Sequence, residues 1–292
     1  MDRSWGTEQL KTMTKYFIIL FGGLIALSSV AQDRQVVPQL FKDTRVVNGH
    51  SVQTSEKSEM KFIISHRFGY VNTGIKELFG LDQSTIRIGL DYGISNRLTV
   101  GLGRSSFEKT VDGFLKFNAL RQTKGDKAFP VSVTAFASSA MTTIEWKDEE
   151  RENYFSSRLA YTYQILIARK FSDAFSWQIM PTLVHQNLVP TGEFSNDILA
   201  IGSATRLQVS KMISIQTEYY YALPNQLPDN YTNSLSVGVD IETKGHVFQL
   251  HLSNSRGMIE KYFVANTTGK WEKGDISMGF NITRDFRLRG RK

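Results

Sequence analysis

The chain has 292 residues, 22% charged and 41% hydrophobic, with a formal net charge of +7. That balance excludes both a disordered chain and a helical membrane protein, and the length allows one large β domain or two ordinary ones. No cysteine occurs, which rules out disulfide frameworks, thiolate metal sites, cysteine nucleophiles and a lipid-anchored N-terminal Cys. Nineteen Phe and eleven Tyr suit strands and membrane interfaces.

The one continuous apolar run is YFIILFGGLIALSSV at 16–30. It is shorter than the ~20 residues of a spanning helix. Lys15 precedes it, and Ser29-Val30-Ala31 places small residues before Gln32. A charged start, an apolar middle and a small-residue end are the marks of a secretory signal peptide. Residues 1–31 are therefore expected to be upstream sequence and a cleaved signal, with Met13 a candidate start. Cleavage removes three basic and two acidic residues and leaves +6. Residues 32–59 have mixed polarity and no sustained period. They read as a periplasmic N-terminal extension, or as a segment folded into the mouth of the domain that follows, with TRVVNGHSV at 44–52 either a short strand or a turn around Asn48-Gly49.

From residue 60 onward strand-like runs recur, at 60–68, 85–94, 98–106, 113–121, 131–141, 156–170, 175–188, 198–209, 213–222, 234–242, 247–254 and 275–286. The hairpin at 84–104 shows the pattern most clearly. Ile86, Ile88, Leu90, Tyr92 and Ile94 alternate with Arg87, Gly89, Asp91 and Gly93. Strict period-two alternation gives each strand one apolar and one polar face. Most runs exceed the ~5–6 residues of globular strands and match the ~9–11 of a tilted membrane strand.

The connections form two alternating sets. Those at 95–97, 172–174, 210–212 and 243–245 are short, and 122–130 is somewhat longer. Those at 69–84, 142–155, 189–197, 223–233 and 255–274 are longer and polar, with 107–112 the shortest of this set. Tight turns at one end and long loops at the other describe an outer-membrane barrel. The predicted fold is thus an all-β, antiparallel transmembrane barrel of about 12 strands over 60–286, followed by a basic tail at 287–292. An even count puts both termini on the periplasmic side.

A charge facing mid-bilayer lipid costs about 2–4 kcal/mol, so the polar parity must face inward. Lumen-facing candidates are Arg87, Asp91, Lys116, Arg158, Arg206, Glu218, Asp240, Glu242 and His251. They read either as a solute pathway or as an internal salt-bridge network. Gly101 and Gly103 lie inside a strand with no helix after them, so they are small inward residues and not a phosphate loop.

Several segments carry a resemblance: FIISHRFG at 62–69, LFGLDQSTIRIGLDYGISNRLTVGLGRS at 78–105, RENYFSSRLAYTYQ at 151–164, NLVPT at 187–191, HVFQLHLSNS at 246–255 and the closing GDISMGFNITRDF. On these the chain resembles a family of outer-membrane β-barrel domains of unknown function from the Bacteroidetes. The resemblance implies fold and location, and brings no catalytic or substrate-binding residues with it.

Chemistry-bearing patterns are sparse. His50, His66, His185, His246 and His251 lie in separate segments without HxH or HxxxH spacing. His185 with Asn187, or His66 with nearby serines, are examples of hydrolase candidates that spacing does not separate from chance, and no catalytic, cofactor or metal residue is assigned. Basic residues are scattered except at 287–292, which argues against nucleic acid as a partner. The expected partners are outer-membrane lipid, the barrel-assembly machinery during biogenesis, and a small solute. The leading functional expectation is a narrow pore or solute-binding transport barrel. A non-conducting structural or interaction barrel comes second, and an outer-membrane hydrolase a distant third.

Overall fold

The computed structural model describes residues 35–125, 127–146, 150, 152–189 and 194–288. The signal peptide and the last four residues of the basic tail lie outside the described residues. Twelve antiparallel strands close into a barrel. They are β1 (Glu59–Tyr70), β2 (Ser84–Ser95), β3 (Leu98–Ser105), β4 (Val111–Leu120), β5 (Ser132–Met141) and β6 (Leu159–Lys170), then β7 (Phe175–Gln186), β8 (Asp197–Gln208), β9 (Ile213–Ala222), β10 (Ser234–Thr243), β11 (His246–Ser253) and β12 (Ser277–Arg287). Each strand pairs with its sequence neighbours, and β12 closes on β1 from Ser277↔Tyr70 to Arg287↔Glu59. The predicted strands all form. The run expected at 156–170 starts later, at Leu159, because Phe155–Arg158 turns as a 3-10 helix.

Alternation fixes the two faces. On β2, Ile86, Ile88, Leu90, Tyr92 and Ile94 point outward while Arg87, Gly89, Asp91 and Gly93 are buried. The same division runs through β6 to β10. An outward belt of Ile, Leu, Val and aromatic side chains would be an aggregation hazard in water and is the surface that lipid requires. No helix among the described residues is long and apolar enough to cross a membrane.

Eight strands leave an interior that wall side chains fill, whereas larger barrels enclose space. Here that space is taken by two other parts of the chain. Residues 37–58 run into the barrel from the short-turn mouth and return to it, where residue 58 leads into β1. At that mouth Gln35–Val36 pairs with Thr123–Lys124, in the turn between β4 and β5. The expected periplasmic extension is therefore, over 37–58, an internal plug. From the opposite mouth the long connection 254–276 folds inward and carries a short helix, α1 (Glu260–Ala265).

Candidate functional site: a plugged lumen with two unlike walls

The plug is irregular chain, so its backbone groups have no ladder to satisfy them and wall side chains must do it. At its tip the Val46 amide bonds the Gly49 carbonyl at 2.8 Å, closing a tight turn. The Glu218 carboxylate on β9 accepts from the amides of Val47 (3.2 Å), Asn48 (3.2 Å) and Gly49 (2.9 Å). Glycine is required at 49 because a Cβ there would lie 2.2 Å from the Tyr220 hydroxyl. Around the barrel, Gln249 donates to the Val46 carbonyl at 2.6 Å, Asn281 to Val47 at 3.0 Å, Lys116 to Thr44 at 3.0 Å and Arg206 to Leu40 at 3.3 Å. Gln178 bonds both the His50 carbonyl and the Val52 amide at 2.8 Å.

Lys42 and Asp43 of the plug pair with charged side chains of the wall, whereas Arg45 donates to the Asn48 carbonyl within the plug. Lys61 on β1 bridges Asp43 at 2.6 Å and Asp285 at 2.8 Å. Burial alone would raise the Asp43 carboxyl, but the Lys61 ammonium overrides it and holds Asp43 below the usual carboxylate range. Lys42 pairs with Glu242, and Thr44 donates to Asp91 at 3.3 Å. Within the wall, Arg87 grips Asp112, with Nε 2.9 Å from one carboxylate oxygen. Gly103 makes room for that guanidinium, since a Cβ there would stand 2.2 Å from it.

The apolar side of the plug faces a different wall. Val37, Leu40, Phe41 and Val52 join one buried cluster with Phe114, Phe136, Leu166, Met180, Val184 and Ile198, which come from β4 to β8. Cavities of about 20 Å³ and 10 Å³ flank the plug tip, each with room for little more than a single water. At this level the lumen is filled by the plug and by α1.

Seven of the nine sequence candidates, Arg87, Asp91, Lys116, Arg206, Glu218, Asp240 and His251, are buried on the inward parity. Glu242 lies at the short-turn end and is half-buried against Lys42. Arg158 is a correction. It sits in the 3-10 turn before β6, donates to the Thr142 and Ile144 carbonyls, and stacks on Trp146 at 4.0 Å, so it organises the 142–158 loop. Lys61, Arg67 and Asp112 belong to the inward set and were missing from the sequence candidates. All three lie on the inward parity, so extending the alternation through β1 and one residue upstream in β4 would have found them.

Neither hydrolase candidate assembles. His185 places its two ring nitrogens against Asp197 at 2.7 Å and Asn187 at 2.9 Å, which leaves neither for a serine. His66 points outward and stacks on Phe280, with ring centroids 5.0 Å apart. Among the described residues no three His, Asp or Glu side chains gather as metal ligands.

Solved structures similar to this chain include the NanC porin, at 10% identity and TM-score 0.49, covering 78% of this chain and 100% of that one. The KdgM porin follows at 9% and 0.44, covering 79% and 99%. Outer membrane phospholipase A from Escherichia coli is similar at 10% and 0.44, covering 90% and 97%. No curated protein sequence matches the chain. The model of one protein family matches residues 41–286, a span that starts inside the plug and ends in β12. On that match the chain belongs to the family of membrane-bound beta barrel domains designated DUF5777.

Proposed function

We propose that this barrel is a gated conduit of the outer membrane for small polar solutes, closed in the present state by its own N-terminal plug. The observation that carries the reading is how the plug is held. Its backbone is tied to side chains of the wall, such as Glu218, Gln178 and Gln249, and not to a strand ladder. Side-chain bonds of this kind contribute about 1 kcal/mol each and can break while the barrel ladder stays whole. Behind the plug stands a wall of Lys, Arg, Asp, Glu, Gln and Asn side chains, a lining that suits polar cargo. Export by the 16–31 signal, cleavage near Ala31, assembly by the barrel-assembly machinery and a periplasmic short-turn mouth belong to the same reading.

The test uses the natural lack of cysteine. Asn48 at the plug tip donates to Ser236 on β10 at 2.9 Å, so N48C/S236C in the full chain places two thiols side by side. In planar bilayers the reduced protein should show conductance events that vanish on oxidation and return on reduction. No conductance in the reduced protein at any voltage would leave a permanently plugged, non-conducting barrel, and equal conductance in both states would show that the plug is not the gate.

A further inference from the structure

A long connection at the mouth of a barrel is ordinarily solvated. In the 254–276 connection Thr268, Glu272 and Lys273 are exposed, but Ile259, Tyr262, Phe263, Val264 and Ala265 are all buried inside the lumen. At six residues α1 is too short to be stable alone, and no side chain caps its start, so packing holds it in place. The Tyr262 hydroxyl bonds Glu108 at 2.8 Å and Thr110 at 2.5 Å, and the Phe263 ring lies 5.0 Å from Tyr220. Phe263 to Ala265 enter the same apolar cluster as the plug.

Where this inward loop meets the plug, one side chain touches both. Arg67 on β1 is fully buried; one terminal nitrogen donates to the Ser255 carbonyl at the base of the loop. The other donates to Asn48 Oδ1 at the plug tip, at 2.6 Å, and Nε donates to His251 Nε2 on β11 at 3.2 Å. The rest of the polar seam is poor. His50 of the plug approaches Glu260 of α1 only to 3.9 Å, and Glu260 Oε1 and His50 Nδ1 have no hydrogen-bond partner. Buried polar atoms left unbonded cost about 1–3 kcal/mol each, so this seam is a parting plane bridged by Arg67.

We propose that residues 254–276 form a lid over the plug from the opposite mouth, and that Arg67 couples lid and plug so that neither closure moves alone. The inference rests on the gated-conduit reading and adds a second gate to it. The fork matters more than the charge: three donors in fixed directions reach three partners, which a lysine cannot reproduce.

The lid can be locked in the full chain. The Thr232 amide bonds the Thr267 carbonyl at 2.8 Å, so T232C/T267C can tie the lid to the neighbouring 223–233 loop. Amide exchange at 46–52 in the plug, read by mass spectrometry or NMR in lipid, is the primary measurement. Oxidation should slow that exchange at least tenfold, and the slowing should disappear in the R67K background. Conductance is read in parallel. Slowed plug exchange without any conductance would keep the coupling and remove the conduit. Plug exchange unchanged by the lock, or slowed equally with Lys at 67, would overturn the coupling.

Discussion

The two halves of the lumen wall hold the same plug with a different balance of forces. From β4 to β8 the inward side chains include Phe114, Phe136, Leu166, Met180, Val184 and Ile198, which bury Phe41, Leu40 and Val52, while Lys116, Gln178 and Arg206 add bonds to the plug backbone between them. From β9 through β12 to β2 they include Glu218, Gln249, Asn281, Lys61 and Asp91, which bond the plug's backbone, the Asp43 carboxylate and the Thr44 hydroxyl. Apolar burial is strong and non-directional, so it supplies most of the seating energy and tolerates sliding. Hydrogen bonds are weak in net terms but directional, so they set the plug's register. A plug cased wholly in apolar contacts would be a permanent core. One cased wholly in polar contacts would wash out.

Substitutions can break this comparison one side at a time. Phe41 is fully buried, and F41A should cost the seating about 3–5 kcal/mol. Exchange at the plug amides 44–52 should then rise by a hundredfold or more, with the strand amides unmoved. On the polar side, E218A leaves three buried amides unbonded and should cost about 1.5–3 kcal/mol. E218Q keeps one acceptor oxygen and should fall between E218A and the parent in the same exchange assay. D43N should matter less, about 1 kcal/mol, because Lys61 retains Asp285; a loss as large as that of F41A would contradict the division of labour.

The smallest effect starts at the lid. Burial, partly opposed by Arg45, pushes the Glu260 carboxyl up to about 7, and burial next to Arg45 pushes the His50 imidazole well below its ordinary value. The raised acid means that seating the lid takes up a proton between the exposed carboxyl value, about 4.5, and about 7. Lid seating should therefore be lost as pH rises through that window, with loop amides 260–266 less protected at pH 8 than at pH 6. E260Q should flatten the dependence. His50 works in the opposite sense, since it must stay neutral to remain buried, and it weakens seating below its exposed value near 6.5.

The barrel was legible because alternation is a local property: each strand carries its own period, and lipid outside forces the choice of face. Arg87, Asp91 and Glu218 could be placed inward on that basis alone. The plug was not legible because 37–58 has no period, its backbone being bonded by residues more than a hundred positions away, such as Gln178 and Glu218. A signal was nonetheless present. Phe114, Phe136, Leu166 and Met180 sit on the inward parity, which makes no sense against water and requires an apolar occupant. Val46-Val47 and Leu40-Phe41 are that occupant. The lid escaped notice for a related reason, since a loop's length does not say which way it folds. Arg158 was misplaced because a single 3-10 turn shifted the start of β6 by three residues.

Whether the plug is a separable unit inside an intact barrel is tested most directly by site-resolved hydrogen exchange of the parent protein in lipid. The amides of Val47, Asn48, Gly49 and Val52 should exchange together, at one rate, well ahead of strand amides such as Leu90, Leu115 and Ile165. Plug amides exchanging as slowly as those strand amides would show that plug and barrel open only together, and would contradict the gate.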